Sequence, residues 1–99
     1  MQSYYPAQFA RELGCTERDW LRWLPSAIGA HPYQLRPGQA SVVCDGATLE
    51  LCWRVGEPLR IALIRMPRLH VRFLFEGFGE AQRQAFMQRF DLHMQRGGG

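Results

Sequence analysis

Three cysteines, three histidines and twelve arginines are the residues of this 99-residue chain with the most chemistry to offer. A thiol beside an imidazole is the minimum for nucleophilic catalysis, so Cys15, Cys44, Cys52, His31, His70 and His93 define the pairs to locate. None sits in the local pattern of a cysteine enzyme. The thiols form no Cys-x-x-Cys pair and one is left over, which argues against both a zinc site and a disulfide framework. The sequence therefore predicts reduced cysteines, no metal, no cofactor and no catalytic residue, and the reading leans to a non-enzyme.

Arginine supplies every basic residue, and the formal charge is +3 with no basic run. The absence of lysine and asparagine points to a GC-rich, bacterial coding sequence rather than to selection for phosphate contact. Arg54, Arg65, Arg68 and Arg72 nevertheless fall with His70 in one stretch, and these five are the candidates for contact with an anion or a nucleic acid. Gly77-Phe78-Gly79, ahead of a predicted helix, offers an anion the N-terminus of that helix. A dinucleotide fingerprint would need a third glycine and a parallel βαβ unit, and neither is present.

The elements that must position these residues follow from turn signals and periodicity. Pro6, the Phe9/Leu13 spacing and Gly14 predict a short helix over 6–13. A second helix is expected from a Thr16 cap with Asp19 in the capping-box position, Cys15 stapled on Trp20, and Pro25 as its close. Residues 25–39 read as a loop with a short extended piece at Tyr33 to Arg36. Residues 40–76 are rich in Val, Leu, Ile and Phe, broken at Asp45-Gly46, Gly56-Glu57-Pro58 and Pro67-Arg68, which predicts a four-stranded antiparallel meander. A helix from about 80 to 95 carries Phe86, Met87, Phe90 and Met94 on one stripe. The expected fold is a single α+β domain with two short N-terminal helices, a four-stranded antiparallel β-meander and a longer C-terminal helix on the sheet.

Strand registers read from the three turns put Val42, Cys44, Leu49, Leu51, Trp53, Ile64, Val71, Phe73 and Phe75 on one dry face. The same registers put Ser41, Glu50, Arg65 and His70 in one outer row, with a Glu50–Arg65 pair. They gather Cys52, Ile61, Leu63 and Leu74 into an apolar cluster rimmed by Arg54 and Arg72. Such a cluster is the expected interaction surface, either for another protein or for a second copy of the chain. The alternative is that the N-terminal helices cover this face and make three layers. Nucleic-acid binding is the second reading, against which the outer face offers no aromatic for base stacking.

The ending Arg96-Gly97-Gly98-Gly99 resembles the Arg-Gly-Gly tail of ubiquitin and the Gly-Gly tails of small sulfur-carrier proteins. That resemblance covers only the last residues and implies a terminal carboxylate activated by adenylation. Carrier folds enter the tail from a strand, whereas here a helix precedes it, and the element order is not that of a β-grasp. The ordinary reading is a flexible tail or a glycine cap. Apolar residues make up 46% and charged residues 21% of the chain, as for a globular domain. With neither a signal-like leader nor a long apolar run, the expectation is a cytoplasmic protein with no membrane partner.

Overall fold

Asp45 and Gly46 both adopt positive φ, 51° and 81°, the backbone a two-residue type I′ hairpin requires. The turn fixes Cys44 opposite Ala47, Val42 opposite Leu49 and Ala40 opposite Leu51, as the sequence predicts. The computed structural model describes residues 4–96, and from this hairpin the sheet grows in both directions. In chain order the elements are β1 (Gln8–Leu13), α1 (Glu17–Ile28), β2 (Tyr33–Arg36), β3 (Gln39–Cys44), β4 (Ala47–Val55), β5 (Leu59–Ile61), β6 (Ile64–Met66), β7 (Leu69–Glu76) and α2 (Glu80–Arg96). Five of the strands make one antiparallel sheet in the order β1-β7-β4-β3-β2, and β5 pairs only with β6.

The fold is thus α+β with an antiparallel sheet and a C-terminal helix, but with five strands in the main sheet and two helices. Residues 8–13 form an edge strand where the sequence predicts a helix. Phe9 and Leu13 are four apart, a spacing that serves a helix face and a strand face equally well. Between them Arg11 also points inward, which hides the period of two. Its guanidinium lies 5.3 Å from the centroids of Phe9 and Phe73 and forks onto Asp91, so a charge occupies a position that pattern reading reserves for an apolar residue.

Thr16 caps α1 as expected, accepting from the Asp19 amide at 3.1 Å, and both Cys15 and Trp20 are buried. The helix does not stop at Pro25, which lies within it. Trp20, Leu24, Ala27 and Ile28 are all buried, and the last turn adds two of them, which offsets the hydrogen bond that Pro25 cannot donate. The end of α1 is closed from outside: Arg89 of α2 donates from Nη1 to the Ala27 carbonyl at 3.0 Å. The guanidinium also fills the space a side chain at Gly29 would need, and Gly29 has φ 77°.

The larger correction concerns residues 56–68. β4 does not pair with the segment after Gly56. It pairs directly with β7, setting Leu49 against Phe75, Leu51 against Phe73, Trp53 against Val71 and Val55 against Leu69. The intervening residues leave the sheet as a two-stranded arm, whose base is closed by the Gly56 amide donating to the Arg68 carbonyl at 2.9 Å. Three-residue strands cannot match the nine-residue β4, whereas the eight residues of β7 can, and the longer pairing buries more apolar surface.

Strand phase survives this change of partner. Val42, Cys44, Leu49, Leu51, Trp53, Val71, Phe73 and Phe75 are all buried, and only Ile64 of the expected inner set is exposed, because it lies on the arm. Both α1 and α2 cover this inner face. Trp20 meets Trp53 edge-on with centroids 5.5 Å apart, and Phe90 meets Phe73 at 5.6 Å. Phe86, Met87 and Phe90 are buried and Met94 packs beside them. The described residues therefore form two layers, and no helix among them covers the outer face of the sheet.

Candidate functional site

Alternation along β1, β7, β4, β3 and β2 turns Ala10, Glu12, His70, Arg72, Leu74, Cys52, Arg54, Glu50 and Ser41 to the uncovered face. Cross-strand neighbours there are Cys52 with Arg72, Arg54 with His70, and Glu50 with both Leu74 and Ser41. The expected Glu50–Arg65 pair does not form. Ser41 Oγ instead donates to Glu50, 2.6 Å from Oε2, since Arg65 has left with the arm.

Of the expected interaction surface, the structure keeps Cys52, Arg54, Arg72 and Leu74 together on the sheet and places Ile61 and Leu63 on the arm. Of the expected anion contacts, Arg54, Arg68, His70 and Arg72 line one open basin of about 640 Å³ on the outer face. Arg65 stands apart, opposite Arg60 across the arm. The basin holds one acid. Glu12 pairs with Arg68, and its carboxyl lies below the ordinary range because of that hydrogen bond first and the charges of Arg68, His70 and Arg54 after it. Glu12 thus adds stability above its unfolded value near 4.5 that is lost as pH falls through its lower folded value. The ring of His70 lies against Gly56, where a Cβ would collide with it.

The arm has two chemical sides. Leu59 opposes Met66 and Ile61 opposes Ile64, so these four share one side, while Arg60 and Arg65 share the other. Ala62 has φ 54° at the turn, and Leu63 beside it is 103% exposed, a value reached only by a side chain that nothing shields. Leu59, Ile61, Ile64 and Met66 are exposed as well. A two-stranded ribbon of this size has no core of its own; Met66 at its base lies beside Gly14, while Ile61, Leu63 and Ile64 toward its tip are exposed apolar surface.

One thiol–imidazole pair also forms. His31 Nε2 lies 3.6 Å from Cys44 Sγ, and the Gln82 side-chain amide donates to the Cys44 carbonyl at 3.4 Å. Sequence spacing gave no sign of this pair, because the loop after α1 and the end of β3 are joined only through the β2–β3 hairpin and the Val43 amide bonding to Pro32. Cys44 is buried and points to the helices, and Cys52 points the opposite way. All three cysteines are unbridged. No group of three or more metal-ligating side chains occurs among the described residues. The glycine tail expected to matter for a carrier lies outside the described residues, directly after α2. No helix among the described residues is long and apolar enough to cross a membrane.

No family model matches the chain, and no curated protein matches it.

Proposed function

We propose that this chain is a bacterial, cytoplasmic protein-contact module that self-associates, with the apolar side of the arm as its main contact and the outer sheet face beside it. The observation that carries the reading is the unshielded Leu63 at the tip of a ribbon whose Leu59, Ile61, Ile64 and Met66 are all exposed on one side. Soluble monomers rarely present a contiguous apolar surface of this kind without a use for it. An apolar side is complementary to a copy of itself, which suits a two-fold contact, and Arg60 and Arg65 on the opposite side stay in water when two such sides meet.

Sedimentation velocity tests the reading. The parent chain should sediment as a dimer or larger species at micromolar concentration, and Leu63→Arg should sediment as a folded monomer. A parent chain that remains monomeric through the high micromolar range removes self-association. Nucleic-acid contact is the second reading, favoured by the convergence of Arg54, Arg68, His70 and Arg72 and opposed by an outer face without an aromatic among the described residues.

A further inference from the structure

The basin has more cation than its own acid can balance. Arg68 is paired with Glu12, whereas Arg54 and Arg72 make no ion pair or hydrogen bond with any described residue. Both stand on the uncovered face. Arg54 is opposite His70 and Arg72 is opposite Cys52, so the two arginines occupy diagonal positions on adjacent strands. Such positions are roughly 7–8 Å apart at the backbone, a span that two guanidiniums can close around one small group.

We propose that this basin is a binding site for a phosphomonoester group, held by the forks of Arg54 and Arg72 over Cys52, with the Glu12–Arg68 pair as one wall. Charge balance decides the class of ligand. Two spare guanidiniums match a group that carries about −1.5 to −2 at neutral pH and presents three acceptor oxygens. A single carboxylate or a backbone phosphodiester brings one negative charge and leaves one arginine unmatched. Guanidinium forks fit phosphate oxygens two at a time, which adds direction to the charge. The volume of about 640 Å³ lies within the usual range for small-molecule sites. Glu12 shows that an oxyanion is stabilised here, since its carboxylate is paired with Arg68 and lies within the field of Arg54. No residue of β5 or β6 lines the basin, so the site does not depend on the arm contact, although it shares the outer sheet face with the self-association reading.

The test is a titration of the intact chain with inorganic phosphate and with inorganic pyrophosphate at constant ionic strength, followed by amide shifts in nitrogen–proton correlation spectra. Saturable shifts centred on Cys52, Arg54, His70 and Arg72 are expected. The double variant Arg54→Gln, Arg72→Gln should bind at least roughly tenfold more weakly, the loss expected for two charge-assisted contacts. The map on the parent chain decides the matter even if that variant is unstable. Shifts that do not saturate, that scatter over all the arginines, or that survive the double substitution overturn the proposal. Binding of an oligonucleotide, steeply weakened by salt and without any response to the two phosphates, overturns it in favour of backbone contact.

Discussion

The phenol of Tyr5 donates to Asp91 Oδ2 at 2.6 Å, joining the start of the described chain to the middle of α2. Arg11 of β1 forks onto the same carboxylate, Nη1 to Oδ1 at 2.6 Å and Nη2 to Oδ2 at 2.9 Å. The Tyr5 backbone is held as well, since its amide donates to Gln84 and its carbonyl accepts from Arg83 and Gln84. One acid on α2 therefore ties down the edge strand, which pairs with β7, and the segment before it.

Asp91→Ala should destabilise the protein by about 2 kcal/mol, because it removes the carboxylate that a buried phenol and a largely covered guanidinium share. Denaturant unfolding monitored by tryptophan fluorescence measures it. A midpoint equal to that of the parent would show that the Tyr5, Arg11 and Asp91 group adds nothing to stability.

Burial, then the hydrogen bond to Asp91 and its charge, push the Tyr5 phenol above its ordinary value of 10.0. The folded state thus favours the protonated phenol, so this contribution is complete below pH 10 and is lost as pH rises through the higher folded value. Melting temperature should fall on the alkaline side, and Tyr5→Phe should flatten that fall while lowering stability at neutral pH. Parallel alkaline limbs for the two proteins would show that Tyr5 is not the titrating group.

Because β4 pairs directly with β7, the fold is expected to form without the arm. Replacing 57–67 with a two-residue Asn-Gly turn should leave a cooperative fold, with a far-ultraviolet spectrum matching the parent less one small ribbon. For contrast, Leu49→Ala in the core should cost about 2–5 kcal/mol, and Leu63→Ser on the arm no more than about 0.5 kcal/mol. Unfolding of the armless chain would mean that β5 and β6 belong to the core.

Native thiol labelling should resolve the three cysteines in order. Cys52 is half-buried in the open basin, whereas Cys15 and Cys44 are buried. Burial, with the charge of Asp19 second, also pushes the Cys15 thiol above its usual range and further slows its reaction. Mass spectrometry of the alkylated protein should find Cys52 modified first and the other two only after local opening. Cys44 reacting as fast as Cys52 would show that the His31 pair is open to solvent and activates the thiol.

Sequence by itself determined what is local. Asp45-Gly46 specified its hairpin because only a few residue types accept positive φ at both positions, and Thr16 specified the start of α1 through a contact three residues away. Strand phase was equally legible, since alternation within β4 or within β7 is a property of each strand whatever lies beside it, and Trp53 and Phe73 face inward under either pairing. The choice of partner was not local. Residues 59–66 are as rich in Leu and Ile as a sheet strand would be, and the excursion became visible only when β7 took their place beside β4. The period of two in β1 was masked by Arg11, whose cost is offset by Asp91 eighty residues further on. The basin followed from these same non-local facts: Arg54 and Arg72 could be put on one face by counting, but their meeting with Glu12 and Arg68 needed β1 at one edge and the arm out of the way. Face is set by the period of the backbone, and neighbourhood by which surfaces bury the most together, so tertiary structure alone decided where the candidate site lies.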